Sequence, residues 1–92
     1  MFHVYLLRCA DGTLYVGSCE VLEKRVAAHR RGEAAMWTAQ RLPIELAYSE
    51  QLPTRAAAIA RERQIKRWTR AKKEALIAGE IDQLHALAKR RG

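Results

Sequence analysis

His3-Val4-Tyr5-Leu6-Leu7-Arg8-Cys9-Ala10-Asp11-Gly12-Thr13-Leu14-Tyr15-Val16-Gly17 places two β-favouring apolar runs on either side of Ala-Asp-Gly-Thr. An Asp-Gly pair between such runs is a hairpin signal, because both turn positions can take positive φ. The reading is therefore two antiparallel strands, Phe2–Cys9 and Leu14–Val16, at the start of the fold.

Downstream, Leu22, Val26 and His29 fall at helical spacing with Lys24, Arg25, Arg30 and Arg31 between them, and Gly32 supplies a stop. A basic amphipathic helix follows the hairpin. Residues 33–42 show no period and read as a loop, while Pro43-Ile44-Glu45-Leu46-Ala47-Tyr48 alternates as a third strand. Thr54 suits the N-cap of an alanine-rich helix over 54–68, and Thr69 suits that of a second helix ending at Gly79. Ile81, Leu84 and Leu87 space a last amphipathic turn or two before the basic tail Lys89-Arg90-Arg91. Strands come first and helices later, so the expectation is an α+β fold in one domain over residues 1–92.

Ninety-two residues and 10.5 kDa leave room for one core. The apolar share is 49%, but 16 of those residues are alanine, so that core is modest. No apolar run approaches the roughly 20 residues of a membrane-spanning helix, and the first residues lack the pattern of a secretory signal; the expected location is cytoplasmic. Cys9 and Cys19 are too few for a zinc site and read as free thiols. A net charge of +7, with twelve arginines, points to a polyanionic partner, nucleic acid first.

Tyr5 and Tyr15 lie ten residues apart on the paired strands, and the turn decides whether they share a face. On one face beside a basic helix they suit phosphodiester chemistry, one phenol deprotonating water and the other binding a phosphate oxygen. Spacing alone favours ordinary strand tyrosines with polar tips outward. Arg25 and His29, at i and i+4, project from one side of their helix, where the arginine can stabilise charge growing on a phosphate; as an isolated pair they read as a solvated basic face with a surface histidine. Between Arg55 and Lys73 stand eight basic residues and one acid, Glu62. Glu62 either pairs with Lys66 at i+4 or helps to hold a divalent cation. Arg41, near Trp37 and Thr38, is a candidate contact to a nucleic-acid backbone or base, with Lys66 and Arg70 the others. Trp68 reads as core; His3 and His85 read as structural or exposed.

Tyr5, Tyr15-Val16-Gly17, Arg25, His29 and Glu62, in that order and spacing, resemble the GIY-YIG nuclease superfamily. The likeness runs over residues 2–78 and includes Glu62-Arg63-Gln64-Ile65-Lys66-Arg67-Trp68. More narrowly the chain is similar to small bacterial stand-alone GIY-YIG proteins, related to the amino-terminal domain of the bacterial excinuclease and to structure-specific endonucleases. The resemblance implies a central three-stranded antiparallel sheet flanked by helices, and one-metal hydrolysis with Mg²⁺ or Mn²⁺ and no small-molecule cofactor. It makes Tyr5 and Tyr15 the pair that positions and deprotonates water, Arg25 the phosphate ligand, His29 the helix residue beside them and Glu62 the metal ligand. His3 replaces the glycine of the first motif, Ser18 stands where excinuclease-type members carry lysine, and Cys19 and Val21 leave the first helix without the usual side-chain cap.

The expected function is thus a metal-dependent endonuclease acting on DNA, branched and single-stranded forms included, in repair or processing. The alternative is a non-catalytic nucleic-acid-binding module whose nuclease site has lapsed or needs a partner. A protein-interaction domain built on the carboxyl-terminal helices is a third reading, which predicts no DNA affinity.

Overall fold

A strand tolerates an uninterrupted apolar run only when both of its faces are covered, and Val4, Tyr5, Leu6 and Leu7 are each at most 1% exposed. In the computed structural model, which describes residues 1–79, they form the middle of a three-stranded antiparallel sheet. The elements are β1 (Phe2–Arg8), β2 (Leu14–Cys19), α1 (Leu22–Arg30), α2 (Met36–Ala39), β3 (Glu45–Leu52), α3 (Arg55–Lys66) and α4 (Arg70–Ala78). The strand order is β2-β1-β3, which leaves β2 at an edge. The turn and basic tail expected after Gly79 lie outside the described residues. No helix among the described residues is long and apolar enough to cross a membrane.

Successive side chains of β1 point to opposite faces. Val4 and Leu6 pack with Val16, Ala58, Ile65 and Leu76, so α3 and α4 cover one face. Tyr5 and Leu7 pack with Cys9, Cys19, Val26 and Ile44, so α1 covers the other. Both cysteines are buried free thiols. Thr54 and Thr69 cap α3 and α4 as expected, accepting from the amides of Ala57 and Lys72 at 3.1 and 3.2 Å. Val21 precedes α1 with no side-chain cap.

Four local features differ from expectation. In the hairpin only Gly12 has positive φ, at 86°. Asp11 instead accepts from the amide and hydroxyl of Thr13, a side-chain turn that removes the need for a left-handed aspartate. The strand after the turn runs on to Cys19, and the third strand spans Glu45–Leu52, later than its alternation suggested. A register shift sets Leu46 opposite Leu7 but Tyr48 opposite Leu6. Leu46 and Tyr48 consequently join different core clusters, which simple alternation forbids. Finally, the expected 33–42 loop contains the single turn α2. It is pinned to the hairpin by the Ala10 amide, which donates to the Arg41 carbonyl at 3.0 Å, and by the Arg41–Asp11 ion pair at 3.1 Å.

Trp68 is only half-buried. It packs against the α3–α4 cluster, with Arg61 and Lys72 over its ring at 5.2 and 4.5 Å.

Candidate active site

In the hairpin register Tyr5 faces Gly17 and Leu7 faces Tyr15. Residues 5, 7, 15 and 17 therefore share the α1 face of the sheet. Both phenols meet the same imidazole: the ring centroids of Tyr5 and Tyr15 lie 5.6 and 5.2 Å from that of His29, each edge-on. His29 is 1% exposed, so it is not the surface histidine that the isolated Arg25–His29 pair reads as, but lies beside the tyrosines as the resemblance implies. The helix turns it inward beneath the sheet, and its polar atoms are satisfied there. The Tyr5 hydroxyl is hydrogen-bonded to His29 Nε2 at 2.8 Å, and His29 Nδ1 is hydrogen-bonded to Thr38 Oγ1 at 2.8 Å.

Burial sets the electrostatics of this pair. It pushes the Tyr5 hydroxyl up to about 12, although the Arg25 guanidinium beside it pulls the other way. It also depresses the His29 pKa below its ordinary 6.5, and Arg25 adds to that depression. At neutral pH the site holds a protonated phenol bonded to an uncharged imidazole, with a guanidinium alongside.

Glu62 comes from α3, on the opposite face. The link is Ser18 near the end of β2. Its hydroxyl donates to Glu62 Oε1 at 2.5 Å, while its carbonyl accepts from Arg25 Nη1 at the long distance of 3.5 Å. The site thus wraps around an edge strand, with Arg25 and Glu62 on either side of one residue. Lys66 holds the other carboxylate oxygen at 2.7 Å, so the i+4 pairing is formed. Burial raises the Glu62 pKa, but the bonds from Lys66 and Ser18 and the nearby charges of Lys66 and Arg63 outweigh it, and the group sits below the usual carboxylate value. Beside this edge, between α1 and α3, lies a cavity of about 540 Å³ whose lining includes Ser18, Lys24, Arg25 and Arg55.

Among the described residues no group of three His, Cys, Asp or Glu side chains is placed to cage a metal ion. A hard divalent cation that keeps several waters and takes further ligands from substrate phosphate needs only one or two carboxylates. The Glu62 carboxylate, 20% exposed, fits that second kind of site once the more exposed Lys66 ammonium gives up Oε2 to the cation.

The other sequence candidates sit apart. Arg41 is committed to its own loop: it stacks 3.4 Å above the Trp37 ring, donates to the Trp37 carbonyl at 3.0 Å and pairs with Asp11. Arg70 pairs with Glu74 at 3.2 Å and lies near Gly12 at the hairpin end, away from Ser18. Sequence reasoning missed Ser18 as the partner of Glu62, Lys24 and Arg55 as groove residues, and Thr38 as the partner of His29. Basic residues next to Arg25 and at the start of α3 were visible signals for the groove. For Thr38 there was none, since its link to His29 crosses a segment without periodicity.

This fold and this convergence of side chains define a GIY-YIG catalytic domain, and the family model of that description matches residues 1–75. The chain belongs to the GIY-YIG family. It is 49% identical to a UPF0213 protein of Natronomonas pharaonis over 78 residues, covering 85% of this chain and 92% of that one. A UPF0213 protein of Staphylococcus saprophyticus is 40% identical, with 83% and 93% covered. The solution structure of a UPF0213 protein from Bacillus halodurans superimposes with a TM-score of 0.56 at 32% identity, over 87% of this chain and 86% of that one. The chain is therefore similar to small proteins made of little more than this domain.

Proposed function

We propose that this protein is a divalent-metal-dependent endonuclease that hydrolyses DNA phosphodiester bonds, acting in DNA repair or processing. The observation that carries the reading is the convergence of Tyr5 and Tyr15 on the neutral His29, with Arg25 beside them and Glu62 across Ser18.

The scissile phosphate lies at the β2 edge, where Arg25 binds its non-bridging oxygens and stabilises the charge that grows on them. Arg25 is suited to this because no carboxylate among the described residues pairs with its guanidinium, whose bond to the Ser18 carbonyl is long. Tyr5 is not a standing base, since a hydroxyl titrating at about 12 is protonated at neutral pH. It acts as a relay: its oxygen accepts a proton from the attacking water while its own proton passes to His29 Nε2, leaving an imidazolium. Tyr15, half-buried on the same face, orients that water. Glu62 would hold Mg²⁺ or Mn²⁺, which when bound polarises the phosphate and neutralises the leaving oxygen. Lys24 and Arg55 line the groove along which the DNA backbone continues.

The test is cleavage of nicked, flapped, branched and linear DNAs by wild type and Glu62→Ala in parallel, with Mg²⁺ or Mn²⁺. Metal-dependent cutting by the wild type alone supports the reading. Salt-sensitive binding without cutting at any enzyme excess replaces it with the non-catalytic binding module. Full activity in Glu62→Ala removes the metal role from that residue.

A further inference from the structure

Tyr5, His29 and Thr38 form a chain of polar groups, each at most 1% exposed, running from the centre of the sheet to the segment between α1 and β3. A buried chain of this kind has two possible directions of donation, and they differ in what they leave unpaired. In one, Tyr5 donates to Nε2, Nδ1–H donates to Thr38, and the Thr38 hydroxyl donates to the Ala35 carbonyl at 3.1 Å. Every proton then has an acceptor. In the reverse direction Thr38 donates to Nδ1 and Nε2–H donates to Tyr5. The phenolic proton then has no protein acceptor among the described residues.

We infer that Thr38 is a positioning residue: its hydroxyl, oriented by the Ala35 carbonyl, holds His29 as the Nδ1–H tautomer and so keeps Nε2 open to receive the Tyr5 proton. The assignment rests on the nuclease reading for its catalytic consequence but not for its geometry. It gives the irregular segment around α2 a task, since the backbone of residues 35–38 places both the carbonyl and the hydroxyl that set the direction of transfer. Threonine and serine can do this, whereas valine, nearly the same in shape, cannot.

Long-range ¹H–¹⁵N correlation spectra of the full chain at pH 7.5 read the tautomer directly. Wild type and Thr38→Ser are expected to show His29 protonated at Nδ1 and bare at Nε2, and Thr38→Val to lose that preference. In single-turnover cleavage Thr38→Val is expected to lower the rate about 10²-fold, within the range of general acid–base contributions. DNA affinity should stay unchanged, and Thr38→Ser should restore most of the rate. A wild-type His29 protonated at Nε2, an unaltered tautomer in Thr38→Val, or an unaltered cleavage rate there each overturns the proposal. Should Thr38→Val fail to fold, the tautomers of wild type and Thr38→Ser decide the matter. Wild-type protein that shows the Nδ1–H tautomer yet cuts no DNA overturns the nuclease reading and supports the assignment of Thr38.

Discussion

The Tyr5 phenol lies so close over Gly17 that a Cβ on Gly17 would stand 2.5 Å from the hydroxyl oxygen and 2.6 Å from Cζ. The two residues face each other across the β1–β2 pair. The glycine of the second motif is thus there to make room for the tyrosine of the first. Gly17→Ala must push the ring off His29 or spread the strands. Overpacking of this kind costs about 1–3 kcal/mol, and loss of the Tyr5–His29 bond should lower cleavage by about 10²-fold or more. Urea unfolding and single-turnover cleavage measure the two effects. A variant with wild-type values in both would show that the ring yields without consequence.

The buried relay also sets pH limits. His29 has a folded pKa below its unfolded 6.5, so below pH 6.5 the unfolded chain binds a proton that the native state resists. Its contribution is present above 6.5 and is lost as pH falls through the folded value. The acid limb of cleavage should therefore lie below 6.5, because the imidazole must be neutral to accept a proton.

At the alkaline end Tyr5 behaves in the opposite sense. Its folded pKa is raised from 10.0 to about 12, so its contribution is whole below 10 and fades as pH climbs through 12. The loss is on the order of 3 kcal/mol. Thermal unfolding across both ranges, with Tyr5→Phe and His29→Gln as controls, tests the assignments: each variant should flatten its own limb. A limb that stays unchanged in its control belongs to another group.

Arg55 stands at the start of α3 and lines the groove, and among the described residues it takes part in no ion pair. Arg55→Ala should weaken DNA binding across sequences and reduce the slope of log K against log salt by about 1. Fluorescence anisotropy at several salt concentrations reads this directly. The same titration of Arg41→Ala is expected to leave the slope near wild type, because that guanidinium is spent on Trp37 and Asp11. The reverse result would move the DNA path from the β2 edge to the α2 segment.

Val21 is 48% exposed and occupies the N-cap of α1, where no side chain satisfies the free amides. Val21→Ser supplies an acceptor there and should stabilise the protein by about 0.5–2 kcal/mol. Chemical denaturation measures the gain, and a loss would mean that the valine packs more usefully than its exposure suggests.

Much of this protein is local and was legible along the chain. The two runs flanking Asp11-Gly12 made the hairpin, the threonines at 54 and 69 began the helices, and the order of Tyr5, Tyr15, Arg25, His29 and Glu62 carried the family. These features depend on period, propensity and spacing, which a linear pattern preserves. Whether the phenols share a face depended on the register across the turn. That His29 is buried rather than solvated depended on the sheet lying over α1. That Glu62 meets Ser18, and that Thr38 meets His29, depended on contacts between residues 44 and nine positions apart, made by elements whose relative placement no local preference dictates. Hydrogen-bond partners in a buried site are chosen by what the tertiary fold brings within 3 Å after water has been excluded, so the members of the site could be read from the chain, but their connections only from the folded molecule.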